Sequence, residues 1–170
     1  MAAAETGSGK TAAFSLPMLQ QVYETLRDAG KLKQSSGDTK PITFNAQDSD
    51  ESVTVSPCQL SINSSDSTSW AGVRASHGVK AGSYYYEVKV EGSGIVRLGW
   101  STMSAHLELG RDAYGFGYGG TSKKSHNNEF GDYGEKYGSG DVIGCILSRG
   151  SGTGSSGRKG SIGYTKNGKP

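Results

Sequence analysis

The sequence predicts a mainly β chain, an antiparallel sandwich with one helical segment near its N-terminus. Three observations carry this. Short apolar alternations recur at intervals of roughly 8–15 residues with turn residues between them, the rhythm of a sandwich. Glycine supplies 27 of the 170 residues, more than twice average usage, so the chain is rich in turns. Only the window from Phe14 to Leu26 repeats at a helical period.

In chain order, Phe14, Met18, Val22 and Leu26 recur every four residues, with Leu19 and Tyr23 beside them, which predicts an amphipathic helix. Pro17 should bend it early, and Gly30 is a suitable stop. Lys31 to Glu51 is polar and reads as a linker. Ser52–Ser56 and Gln59–Asn63 alternate as short strands, Ser64–Ser69 is a turn cluster, and Trp70–Ala75 is a further strand.

The clearest pattern is Gly82 to Ser101. Tyr84, Tyr86, Val88 and Val90 alternate with Tyr85, Glu87, Lys89 and Glu91, the period of a half-buried strand. After Gly92-Ser93-Gly94, Ile95–Trp100 reads as a second strand, and the short glycine break predicts an antiparallel hairpin. Leu107–Asp112 reads as a loop and Tyr114–Tyr118 as a glycine-interrupted strand. Asp141–Leu147 is apolar enough for a buried strand, Ser148–Gly160 is a flexible loop by composition, and Ser161–Thr165 is a strand. Asn167-Gly168 is a strong two-residue hairpin turn, and the return strand it calls for would begin at Lys169.

The formal charge of +2 is too small to argue for nucleic acid or membrane by itself. Cys58 and Cys145 form no disulfide framework and have no zinc spacing, so they read as half-buried thiols in a reducing compartment. No apolar run approaches a membrane span, and Met1–Glu5 lacks the regions of a signal peptide. The expectation is an intracellular protein, in the nucleus or the cytoplasm, with no membrane partner.

One motif carries chemistry. Ala4-Glu5-Thr6-Gly7-Ser8-Gly9-Lys10-Thr11 ends in Gly-Lys-Thr, the core of a phosphate-binding loop. Glycines let backbone N–H groups turn inward on phosphate oxygens, the lysine reaches the terminal phosphates, and the threonine hydroxyl ligates magnesium. The predicted helix stands where its N-terminus would face the anion. A phosphate loop also follows a buried parallel strand, which the few residues before this one do not supply, so the chain reads as a fragment at both ends. Gly115-Phe-Gly117-Tyr-Gly-Gly120 fits the GxGxxG dinucleotide pattern, yet no helical period comes after it, so close backbone packing in a sheet is the better reading. His77, His106 and His126 have no metal-ligand spacing. Lys123, Lys124 and His126, within the stretch Gly119–Asn128 that reads as a loop, suit phosphate or an acidic partner.

Two resemblances complete the reading. Ala4, Thr6, Gly7, Gly9, Lys10 and Thr11 match the AxTGxGKT of motif I in DEAD-box RNA helicases. Ala12–Leu19 is similar to the residues just C-terminal to motif I in that family, Pro17 included. Tyr84-Tyr-Tyr-Glu-Val, Arg97-Leu-Gly-Trp-Ser, Asp141-Val-Ile-Gly-Cys and Tyr164-Thr-Lys-Asn-Gly resemble a SPRY domain, a two-sheet β-sandwich. The order of the two motifs resembles a helicase with a SPRY insertion in its first RecA-like domain. This implies three parts: 1–30, a fragment of the RecA-like domain holding motif I and its helix; 31–51, a linker; and 52–170, a SPRY domain lacking its closing strands. The resemblance further implies ATP and Mg2+ as cofactors, held by Thr6, Gly7, Ser8, Gly9, Lys10 and Thr11, with Lys10 catalytic and Thr11 on the metal. RNA would bind the complete helicase core, and a protein partner the SPRY part. No Asp-Glu-Ala-Asp tetrad is present in the 170 residues. The alternative for this chain is therefore a non-enzymatic SPRY interaction module.

Overall fold

The computed structural model describes residues 41–65, 68–80, 82–149 and 160–170, and the backbone alone of 2–5 and 10–13. The described residues form strands and no helix. The strands are β1 (Ala2–Glu5), β2 (Lys10–Ala13), β3 (Phe44–Ser49), β4 (Val53–Val55), β5 (Ser61–Ser64), β6 (Trp70–Ala75) and β7 (Gly82–Lys89). They continue with β8 (Val96–Ser101), β9 (Gly115–Gly119), β10 (Lys123–His126), β11 (Glu129–Asp132), β12 (Val142–Arg149) and β13 (Ser161–Lys166). The predicted helix over 14–30 and the loop Thr6–Gly9 lie outside the described residues.

Three antiparallel sheets result. The largest runs β11-β10-β9-β8-β1-β6-β3, the second β13-β12-β7, and the third β2-β5-β4. The core lies between them. Val73, Leu98 and Tyr118 point in from the first sheet, Val88, Ile143, Cys145 and Tyr164 from the second, and Ile62 from the third.

The expected hairpin between β7 and β8 is not formed. β7 pairs with β12 and β8 with β9 and β1, so the two strands face each other across the core. The glycine break is a bridge between sheets. Gly92 and Gly94 take positive φ of 79° and 127°, which lets three residues turn the chain across a gap of about 10 Å between packed sheets. Burial decides the outcome: Val88 and Val90 belong with Val96 and Leu98 in one core, and a shared sheet would have spread them along one surface.

Two stretches expected as linker and loop contain strands. β3 lies within the 31–51 segment and pairs irregularly with β6; Phe44 alone anchors it to the core, so it lacks the alternation that marks a strand. Gly119–Asn128 contains β10. Its turn into β11 is made by Asn127 and Asn128 at φ of 52° and 60°, the doubly left-handed geometry of a type I′ hairpin.

Tyrosine hydroxyls bolt the layers together. Tyr86 donates to the Gly99 carbonyl at 2.6 Å, Tyr164 to Phe116 at 3.2 Å, and the buried Tyr137 hydroxyl lies 2.8 Å and 2.6 Å from the Val96 and Tyr118 carbonyls. Each buried phenol thus meets a backbone acceptor. Burial pushes the Tyr86, Tyr137 and Tyr164 hydroxyls well above their ordinary value. Of the two thiols, Cys58 is exposed and Cys145 fully buried, where desolvation raises its pKa to about 12.

Candidate functional site

Residues of the phosphate motif fall in two places. Thr6, Gly7, Ser8 and Gly9 lie outside the described residues. Lys10 and Thr11 stand on β2, their backbone paired with Ser64 and Asn63 of β5. That backbone is extended, whereas a phosphate cradle needs a helix to open at Gly-Lys-Thr. Phosphate binding and this pairing exclude each other.

Lys123, Lys124 and His126 do not form one cluster. A strand turns successive side chains to opposite faces, so Lys123 and Ser125 share the outer face of the large sheet while Lys124 and His126 point the other way. Lys123 Nζ is engaged by the exposed carboxylate of Asp132 on β11, which holds the Asp132 carboxyl below its ordinary value. The His126 ring stacks flat on Phe116, with centroids 4.0 Å apart and planes 5° from parallel. Its Nδ1 lies 2.9 Å from the Gly115 carbonyl, which can only accept, so Nδ1 carries the proton.

Among the described residues, one segment covers part of the outer face of the large sheet. The segment 105–110 lies across it, held from below by buried guanidinium groups. Arg74 donates to the Ala105 carbonyl and pairs with Asp48 at 2.6 Å; Arg97 donates to the Leu109 carbonyl at 2.6 Å. Gly72 and Gly117 leave room for this layer. A Cβ on Gly72 would run into the Leu107 backbone, and one on Gly117 would stand 2.7 Å from Arg97 Cδ. The glycines of the GxGxxG run therefore serve packing. Beside that segment, Arg97 lies over the Trp70 ring at 4.2 Å and faces Phe130 at 5.4 Å. Sequence reasoning missed Phe130, because a lone aromatic in Asn-Asn-Glu-Phe-Gly-Asp carries no period. The signal that could have found it is the Asn-Asn pair, which fixes the hairpin register and brings Phe130 opposite Ser125.

Comparison with known proteins places this architecture. The family model described as "SPRY domain" matches residues 83–170. The chain belongs to the SPRY family. The SPRY core also takes in Ile62 and Val73, which lie upstream of the matched residues. Among similar proteins, the Xenopus laevis ATP-dependent RNA helicase DDX1 is 47% identical over 152 residues, covering 85% of this chain and 20% of its own length. The Drosophila melanogaster ATP-dependent RNA helicase Ddx1 is 45% identical over 173 residues, covering 98% of this chain and 23% of its own. A probable ATP-dependent RNA helicase ddx1 of Dictyostelium discoideum is 37% identical over 186 residues, covering 99% and 23%. The chain thus spans about a fifth of the length of these relatives. No helix among the described residues is long and apolar enough to cross a membrane.

Proposed function

We propose that this chain is the part of an ATP-dependent RNA helicase in which a phosphate loop is followed by a SPRY domain that contacts partner proteins. The supporting observation is the extent of the likeness. The alignment with the Drosophila relative takes in 98% of the chain, so it runs through the N-terminal motif as well as the SPRY unit. In this reading the Thr6–Gly9 backbone would cradle ATP phosphates, Lys10 would set its charge against them, and Thr11 would ligate Mg2+. RNA would be bound by the complete core, in the nucleus or cytoplasm. Because β2 holds Lys10 and Thr11 extended, and because no Asp-Glu-Ala-Asp tetrad is present, the 170 residues alone are expected to bind ATP with Mg2+ weakly or not at all and to hydrolyse none.

Lys10→Ala in the whole helicase tests the reading. Removing a charge set against the transferring phosphate should lower ATP turnover about 10²–10³-fold, with the melting of the SPRY unit unchanged. Turnover at the wild-type rate would refute the assignment. The second reading, a SPRY interaction module with no nucleotide chemistry, predicts that outcome.

A further inference from the structure

Of the asparagines in the chain, Asn167 alone is followed by glycine, and the pair forms the exposed turn at the end of β13. We propose that Asn167 is a site of spontaneous deamidation gated by this turn: the closed turn bars the reaction, local opening admits it, and the carboxylate formed cannot rebuild the contacts that closed the turn.

The chemistry is an internal acyl transfer followed by hydrolysis. The Gly168 backbone nitrogen gives up its proton to solvent base and bonds to Asn167 Cγ. Nδ2 takes a proton back and leaves as ammonia, and a succinimide ring closes. Water then adds to one of the two ring carbonyls and opens the ring to aspartate or isoaspartate, so that one water is consumed and one ammonia released. Glycine suits the step because it brings no side chain against the attacked carbon, and asparagine is among the thermally labile residues. At Gly168 an added Cβ would meet nothing within 4 Å, so solvent reaches the reacting atoms.

The folded geometry withholds that attack. Asn167 and Gly168 take φ of 52° and 77°, and a turn of this left-handed kind pairs positive φ with a small positive ψ. The Gly168 nitrogen is thereby turned to the far side of the Cα–C bond from the Asn167 side chain. The side chain is itself occupied: Oδ1 accepts from the Val142 N–H at 2.8 Å, and Nδ2 donates to Asp141 Oδ1 at 2.8 Å. The Asn167 N–H donates to the Val142 carbonyl at 2.7 Å, and Lys166 and Lys169 exchange backbone bonds of 2.7 Å and 3.0 Å. Opening has only these few bonds to break, because β13 ends its sheet among the described strands, with β12 as its partner. Strand ends of this kind open without global unfolding. After conversion a charged oxygen replaces Nδ2 against Asp141. Lys166 is the one ammonium that the described residues bring to Asp141, at 3.5 Å, and it already donates to the Lys136 carbonyl at 2.7 Å and lies 3.8 Å from Glu135. A second carboxylate at hydrogen-bond distance from Asp141 therefore meets repulsion, and the turn stays open.

The test incubates the 170-residue chain in mildly alkaline buffer, with and without urea above its unfolding midpoint, and follows each asparagine by peptide mass spectrometry. In urea Asn167 is expected to convert before the other asparagines, giving aspartate and isoaspartate. In the folded chain it should convert at least tenfold more slowly. Asp141→Ala, which removes the acceptor of Nδ2, should speed conversion in the folded chain about 5–30-fold. Gly117→Ala crowds Arg97 on the large sheet, away from the turn, and should leave the rate close to that of the wild type. Asn167→Asp should exchange the Val142 and Lys169 amide hydrogens faster than the wild type, with those of β8 unchanged. An Asn167 that converts no sooner than Asn45 in urea would overturn the site, and conversion as fast folded as unfolded would overturn the gate. Equal acceleration by Asp141→Ala and Gly117→Ala would overturn the turn as that gate, placing it in global unfolding instead. Wild-type exchange in Asn167→Asp would overturn the exclusion of the product.

Discussion

At Gly117 the space for a side chain is already taken. Arg97 Cδ and Ser125 Oγ would lie 2.7 Å and 2.8 Å from an added Cβ, and Arg97 cannot yield without losing its bond to the Leu109 carbonyl. Gly117→Ala is therefore expected to destabilise the fold by about 1–3 kcal/mol, read as a lowered urea midpoint. Gly163 also lies in a strand, but its added methyl would meet only Ile146 Cδ1 at 3.9 Å. Gly163→Ala should stay within about 0.5 kcal/mol of the wild type. If both variants unfold at the same urea concentration, the glycine run is not there for packing. The sequence shows such a run but not which atom lies above it, because Arg97 and Gly117 are neighbours only through the pairing of β8 and β9.

At the scale of elements, what could be read depended on which force fixed each one. β6, β9 and β13 stand within a residue or so of their expected bounds because alternation and local turns set them. The turn at Asn167-Gly168 forms as expected, at φ of 52° and 77°. β7 and β8 were visible as strands, but their partners were not, because a short glycine-rich link serves a hairpin and a bridge between sheets equally well. β3 and β10 are polar strands defined by what they lie beside, and periodicity cannot reveal that. One clamp between elements makes a prediction about acid. Burial pushes the Asp141 carboxyl up, yet it is held below its ordinary value by the Asn167 side-chain amide at 2.8 Å, the Gly138 N–H at 3.0 Å and Lys166 at 3.5 Å. In the unfolded chain that carboxyl takes its proton near pH 3.9, while the folded one is still charged. The unfolded state then binds more protons, so the clamp's stability is present above that pH and is lost as the pH falls through the folded value. Melting temperature should be level from about pH 7 to about pH 5 and fall below about pH 4, and Asp141→Asn should flatten part of the fall. An unchanged acid slope in that variant would remove the clamp from the account.

The whole molecule is built in layers. The sandwich is a body whose layers are joined by tyrosine hydroxyls and whose outer face is roofed in part by the 105–110 segment. The sandwich class was legible from turn spacing, and the SPRY membership from four short motifs. The stacking of Arg97 with Trp70 and Phe130 was not, since the three come from strands that meet only after the large sheet has assembled.

That assembly has an order. Within the large sheet β1 is the link between β6 and β8, pairing Glu5 with Trp70 and Ala4 with Val96. These partners are far along the chain, and closing so long a loop costs entropy before any ladder bond repays it. Contacts of that separation form late. The N-terminal residues should therefore join late during refolding, after β8–β11 have found one another through much nearer contacts. Single-tryptophan chains made with Trp70→Phe or Trp100→Phe would show this in stopped-flow fluorescence. The Trp70 signal should mature more slowly than that of Trp100, and removal of residues 1–13 should abolish the slower phase. Equal rates for both would mean that β1 enters with the nucleus. If it enters last, the chain completes its largest sheet with the same residues that carry the nucleotide motif.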